Sequence, residues 1–140
     1  MELIEKALRE YGVMEIVGDT DNPDILKYFH EIGHEWVLND ETAWCSAFVN
    51  WVAKTCGYEY TGKLNARSWL DIGSVILDFE LGDVAVLWRG SPDGWKGHVG
   101  FPVRKTEHHI WLLGGNQSNM VRISPYPIDR LLGYRRLKKV

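Results

Sequence analysis

The hydrophobic period of this chain changes once, near Gly73, and that change limits what it can fold into. Beyond Gly73, apolar residues come in short alternating or continuous runs: DVAVLW (83–88), HVGFPVR (98–104), HIWLLG (109–114), MVRISP (120–125) and GYRRL (133–137). Each run is too short for a helix, and Gly, Pro, Asn and Asp turns separate them, so they read as a meander of strands. Before Gly73 the spacing is helical. Leu3, Ile4, Ala7 and Leu8 share one face of a helix that Gly12 closes. Asn22 followed by Pro23 is an N-cap with proline at the first helical position. The helix it starts carries Ile25, Leu26, Tyr28 and Phe29 and stops at Gly33. A third helix is expected over 43–56 with Gly57 past its end, and a fourth, short one through ARSWLDI, capped by Asn65. Helices followed by a strand meander predict an α+β fold, with N-terminal helices packed on a short-stranded antiparallel sheet.

Composition narrows the function classes. The chain has 140 residues, 45% of them hydrophobic and 25% charged, which suits a single domain over 1–140 with a sizeable core. The net charge of −3 and the single short basic run RRLKK (135–139) argue against a nucleic-acid binder. The apolar runs are too short to span a membrane. MELIEKALREYG is charged throughout and is not a signal peptide, so the expectation is synthesis in the cytoplasm. Two cysteines, Cys45 and Cys56, form neither a metal-binding C-x-x-C pair nor a disulfide framework.

Three stretches carry possible chemistry. HEIGH (30–34) matches the zinc-peptidase pattern H-E-x-x-H, with His30 and His34 as ligands and Glu31 as general base. That chemistry needs both histidines on one helix face. Gly33 between them weakens a helix by roughly 1 kcal/mol relative to alanine, and the neighbouring Tyr28, Phe29, Trp36 and Val37 look like the packing residues. A polar helix end is the expected reading, and a zinc metallopeptidase the alternative. DTDNPD offers Asp19, Asp21, Asn22 and Asp24 as oxygen ligands, but it lacks the central glycine and distal glutamate of a calcium loop. Turn and capping chemistry account for it.

The third is Cys45, in the first turn of the third helix. Unpaired N–H groups and the helix dipole there stabilise a thiolate. His98, flanked by Gly97 and Val99 at the start of a strand, is placed to be its base. Asn116 lies just beyond the end of the next strand and can sit beside His98 to fix its tautomer. A Cys–His–Asn set of this kind supports nucleophilic catalysis, with the Cys45 N–H helping to hold an oxyanion. Cys56, at a helix C-terminus, lacks that help and reads as structural.

Six stretches carry a resemblance across most of the chain: DNPDILKYF (21–29), NDETAWCSAFVNW (39–51), NARSWL (65–70), GDVAVLWRG (82–90), GHVGF (97–101) and LLGGNQSNMVRIS (112–124). In content and order they resemble the papain-like cell-wall cysteine hydrolases of the CHAP and NlpC-like group, most closely the small single-domain members of the phage endolysin type. The resemblance implies a papain-like fold and cleavage of a peptidoglycan amide with no metal or other cofactor. It maps nucleophile, base and orienting residue to Cys45, His98 and Asn116. Two features depart from the family pattern. Gly114 and Gly115 stand where many members carry an acid. The glutamine upstream of the nucleophile is also absent, leaving Asn39 or Glu41 as stand-ins at the oxyanion.

The expected function is therefore hydrolysis of a peptidoglycan amide, N-acetylmuramoyl–L-alanine or one in the stem or cross-bridge, through a cysteine thioester. Trp44, Trp69, Trp88, Arg89, Trp95 and Gln117 are expected around the substrate. The partner is bacterial peptidoglycan, reached after release or delivery, with no nucleic acid, no membrane insertion and a monomeric state. A non-catalytic wall-binding module on the same fold is the remaining rival.

Overall fold

The computed structural model of the chain describes residues 2–15, 22–34 and 44–140. Its described elements run α1 (Glu2–Leu8), α2 (Pro23–His30), α3 (Cys45–Thr55), a 3-10 helix (Ala66–Asp71), β1 (Ser74–Ile76), β2 (Val84–Trp88), β3 (Gly97–Lys105), β4 (His109–Gln117), β5 (Met120–Pro127), a one-turn 3-10 helix (Ile128–Arg130) and β6 (Leu131–Arg136). The strands form one six-stranded sheet in the order β1-β6-β2-β3-β4-β5. Every pairing is antiparallel. This is the α+β architecture expected from the change of period.

α3 lies across β3 and β4, with α2 packed on α3 and the 3-10 helix over β2 and β3. Ala47, Phe48, Val49, Val52 and Ala53 of α3 are fully buried against Val84, Val86, Val99, Phe101 and Leu113 of the sheet. Burying side chains of this size stabilises by roughly 1.5–3 kcal/mol each. β2 is buried along its length because its alternate residues Ala85 and Leu87 face a second, smaller core with Ile110, Leu112 and Tyr134. That is why its sequence is a continuous apolar run rather than an alternating one.

α2 is tied to α3 through Tyr28. Its ring stacks on Trp44 (centroids 5.9 Å apart) and meets Phe48 and Trp51 at 5.2 Å each, contacts worth roughly 0.5–1.5 kcal/mol per pair beyond burial. Asn22 caps the helix as its sequence predicts, its Oδ1 accepting from the Asp24 N–H at 2.9 Å. α2 ends at His30, and Gly33 takes φ +96°, a backbone region that favours glycine. His30 and His34 are therefore not successive positions on one helix face. Glu31 accepts from Trp51 Nε1 at 3.0 Å, and His34 Nε2 donates to the Gly62 carbonyl at 2.6 Å. In HEIGH, then, Glu31 and His34 fasten α2 to neighbouring segments, and the zincin geometry is not formed. Among the described residues no group of three or more His, Cys, Asp or Glu gathers to hold a metal.

Several elements differ from expectation. The short fourth helix is 3-10, and Asn65 makes no side-chain cap. β1 was not anticipated, because three residues with two exposed side chains carry little hydrophobic signal. β3, β4 and β5 extend past their apolar runs. Asp19, Asp21, Trp36, Val37, Asn39, Glu41 and the start of the predicted third helix at Ala43 lie outside the described residues. No described helix is long and apolar enough to cross a membrane.

Candidate active site

Cys45 is the first residue of α3, so its sulfur sits where the helix presents unpaired N–H groups. His98 comes from the start of β3, in register with Leu87 of β2. Each is 8% exposed, almost buried yet open to a cleft. The thiol and the imidazole line the same cleft and act on one another's ionisation. Burial pushes the Cys45 thiol up. The hydrogen bond and charge of His98, with the N–H groups of Val99 and Ser46, outweigh it and draw the thiol below its ordinary range. Burial pushes His98 down, but the bond and charge of Cys45 and a bond to Gln117 raise it above the usual imidazole range, against the opposing charge of Arg89. Both shifts favour a thiolate–imidazolium pair.

The partner of His98 is Gln117, at 2.8 Å between His98 Nε2 and Gln117 Oε1. The Gln117 amide nitrogen donates to the carbonyls of Leu112 (3.0 Å) and Arg122 (2.6 Å). An amide nitrogen facing two carbonyls leaves its oxygen to face His98, so His98 Nε2 must donate. The proton then resides on Nε2, and Nδ1 is left to exchange a proton with Cys45.

Sequence reasoning placed Asn116 in the orienting position and Gln117 among the substrate contacts. The structure exchanges them. Extending the pairing Phe101↔Leu113 without a break would set Asn116 opposite His98. A bulge between Gly114 and Gln117, in the pairing of β4 with β5, breaks the regular alternation of β4 there. Asn116 takes φ +57° and lines the cleft, and the following residue reaches His98. The two glycines that stand where the family pattern has an acid explain the exchange. A Cβ at Gly114 would lie 2.9 Å from Gln117 Oε1, and one at Gly115 would lie 2.7 Å from the Trp44 ring. Gly114 leaves room for the glutamine, and Gly115 lets α3 close onto β4.

The remaining expected residues divide. Trp44 and Trp69 are core residues, both fully buried. Trp44 donates its indole N–H to Glu15 at 2.8 Å, and Trp69 donates to Ser46 Oγ at 3.0 Å. They brace the residues on either side of Cys45 and present no surface to a substrate. Trp88 and Arg89 line the main cleft, and Trp95, 75% exposed, lines a smaller one. The loop carrying Trp95 is held by Arg67, whose guanidinium donates to the carbonyls of Ser91, Pro92 and Lys96 at 2.7–2.8 Å. Asn39 and Glu41 lie outside the described residues.

The main cleft has a volume of about 240 Å³ and is lined by Cys45 and His98 with Asn116, Ser118, Tyr126 and Arg130 among others. The smaller one, about 90 Å³, is lined by Cys45, Asn65, Arg89, Trp95 and Lys96. Cys45 thus borders a cleft on each side. Tyr126 and Arg130 escaped the sequence reading. Tyr126 pairs with Ile110, far along β4 from Gln117, yet its hydroxyl lies 3.2 Å from His98 Nε2. The one-turn 3-10 helix after β5 returns the chain to Leu131, which pairs with Leu87 opposite His98, and no local motif encodes that return.

No protein-family model matches the sequence, and no curated protein matches it. Solved structures do. One is NlpC1 from Trichomonas vaginalis, with a TM-score of 0.56 at 14% identity over 98% of this chain. Another, from Staphylococcus aureus, is described as similar to a lipoprotein of the NLP/P60 family, with a TM-score of 0.50 at 16% identity over 96% of this chain. The chain spans 44% and 40% of those two chains, less than half of each. At such identities the likeness is one of fold, and the fold is the papain-like one of the NlpC/P60 structures.

Proposed function

We propose that the chain is a cysteine hydrolase that cleaves an amide bond of bacterial peptidoglycan through a thioester. The observation that carries this is Cys45 and His98 lining one cleft, with Gln117 bonded to His98 so that it fixes the imidazole tautomer that a thiol's base requires. The NlpC/P60 fold supports the choice of the cell wall as substrate.

In this mechanism the Cys45 thiolate attacks the amide carbonyl from the N-terminus of α3, where backbone N–H groups meet the developing oxyanion. His98 Nδ1 carries the proton taken from the thiol and gives it to the departing amine. The acyl group stays on sulfur until water, deprotonated by His98, releases it. Gln117 holds the ring throughout. A pure binding module has no use for a thiol drawn below its ordinary range beside a tautomer-locked imidazole. The bond cleaved is N-acetylmuramoyl–L-alanine or one in the stem or cross-bridge. The enzyme acts as a monomer at the wall after release or delivery.

Thiol reactivity tests the reading. Alkylation requires the thiolate, and the Cys45 value is lowered, so thiolate persists as pH falls below the ordinary thiol range and is lost only as pH passes through the lowered value. Iodoacetamide at neutral pH should modify Cys45 ahead of Cys56, whose thiol burial pushes up, and should abolish release of wall fragments. His98→Ala removes the bond and charge that oppose burial, so its alkylation midpoint should move to higher pH. Hydrolysis that survives complete alkylation of Cys45 would refute the proposal.

A further inference from the structure

Cys45 borders two clefts, and His98 lines one of them. The larger, about 240 Å³, is lined by both residues. The smaller, about 90 Å³, is lined by Cys45 with Asn65, Ala66, Trp95 and Lys96 but without His98. That asymmetry orients a substrate. When the Cys45 sulfur bonds to the carbonyl carbon and the C–N bond breaks, the departing amine takes its proton from His98. The amine must therefore lie on the His98 side of the sulfur, in the larger cleft. The acyl half lies on the other side, in the smaller one.

The smaller cleft limits what that half can be. At about 90 Å³ it has room beside the sulfur for only a small group, since a single water already claims roughly 30 Å³ in the liquid. Trp95 lines it and is 75% exposed. An exposed indole on a loose loop would carry little meaning, but this loop is fixed. Arg67 donates to the carbonyls of Ser91, Pro92 and Lys96. The Gly94 N–H bonds to the Ser91 carbonyl and the Arg89 N–H to the Lys96 carbonyl, each at 3.2 Å. A large aromatic already held in place loses little freedom when a ligand covers it.

The negative face of an indole suits the row of C–H groups on one face of a sugar ring. Asn65, Arg89 and Lys96 line the same cleft and supply donors for hydroxyl and N-acetyl oxygens. In peptidoglycan the lactyl group of a muramoyl unit combines both requirements. Its methyl is small enough to sit beside the sulfur, and its sugar ring follows one ether linkage further out. An amino-acid acyl half offers nothing flat to Trp95.

We propose that Trp95 is a stacking platform for a sugar ring in the acyl half of the substrate, and that it directs cleavage to the amide between the muramoyl lactyl carbonyl and L-alanine. The proposal rests on the cysteine-hydrolase reading of the same site and selects among the bonds left open there.

The experiment compares two probes, N-acetylmuramoyl–L-alanyl–D-isoglutamine and D-lactoyl–L-alanyl–D-isoglutamine. They share the amide and differ in the sugar. Their dissociation constants are measured by calorimetry in Cys45→Ala, which cannot turn them over. Changes in folding or in the peptide-binding cleft act on both probes and cancel in the ratio. The sugar should tighten binding about 5- to 10-fold. That advantage should vanish when Trp95→Ala or Trp95→Leu is added and largely return with Trp95→Tyr. A sugar that adds nothing, or an advantage that survives Trp95→Ala, overturns the proposal. The wild type should also free the glycan with a lactyl carboxylate, and cleavage confined to the peptide overturns it too. The two ideas fail separately. Wall cleavage by an enzyme whose binding ignores the sugar keeps the hydrolysis and removes the platform. A Trp95-dependent sugar advantage in a protein whose wild type cleaves nothing keeps the platform and removes the hydrolysis.

Discussion

Gln117 can present its oxygen to His98 only because its nitrogen is committed to the Leu112 and Arg122 carbonyls. Gln117→Ala leaves two buried carbonyls without their donor and frees the imidazole to take either tautomer. It should lower kcat by roughly 10²-fold, within the range that a positioned acid–base group contributes, with KM little changed. Gln117→Glu should not rescue it, because a carboxylate oxygen would face those carbonyls; thermal melts should show a loss of about 1–3 kcal/mol. Asn116→Gly relaxes a left-handed backbone and should reduce kcat far less. Equal losses at the two positions would contradict the assignment. Cys45 and His98 were legible as a pair because each has a local signature: a thiol in the first turn of a helix and a histidine set between small residues at the start of a strand. Gln117 was not, because a one-residue bulge decides which of two adjacent amides reaches the ring, and regular alternation points to the wrong one.

At the level of elements, the contact between α3 and β4 aligns the nucleophile with the base. Gly115 is its closest point, since a Cβ there would come within 2.8 Å of both the Trp44 ring and Phe48 Cβ. Gly115→Ala should force α3 away from the sheet, at a cost of about 1–3 kcal/mol as in other overpacked cores. It should also slow Cys45 alkylation at neutral pH by moving the thiol away from His98. Denaturant melts and alkylation rates check both effects, and a variant with unchanged stability and reactivity would remove Gly115 from this role. Ser46 bonds the residues on the other side of α3, donating to the Lys63 carbonyl at 2.7 Å and accepting from Trp69. The helices and most strands were legible because their apolar periods differ. β1 and the 3-10 character of Ala66–Asp71 were not, because short segments are shaped by what they pack on. For Trp44 and Trp69 composition showed a surplus of aromatics, and only the packing decides which of them reach the cleft.

Across the whole molecule, two cores on opposite faces of one sheet leave the Cys45 thiol bordering two clefts. The order of helices and strands was enough to predict helices packed on an antiparallel sheet. The approach of Tyr126 to His98 was not predictable, because it depends on how distant strands pair rather than on any one stretch of sequence. The fold likeness holds at 14–16% identity, which is why what the chain does must be argued from its site. The most direct measurement is digestion of purified peptidoglycan by the wild type and by Cys45→Ala, with the products read by mass spectrometry. New amine and carboxyl ends with the wild type alone are the predicted result, and their masses name the bond. Identical products from both proteins, or none from the wild type on walls of varied chemistry, would contradict the account.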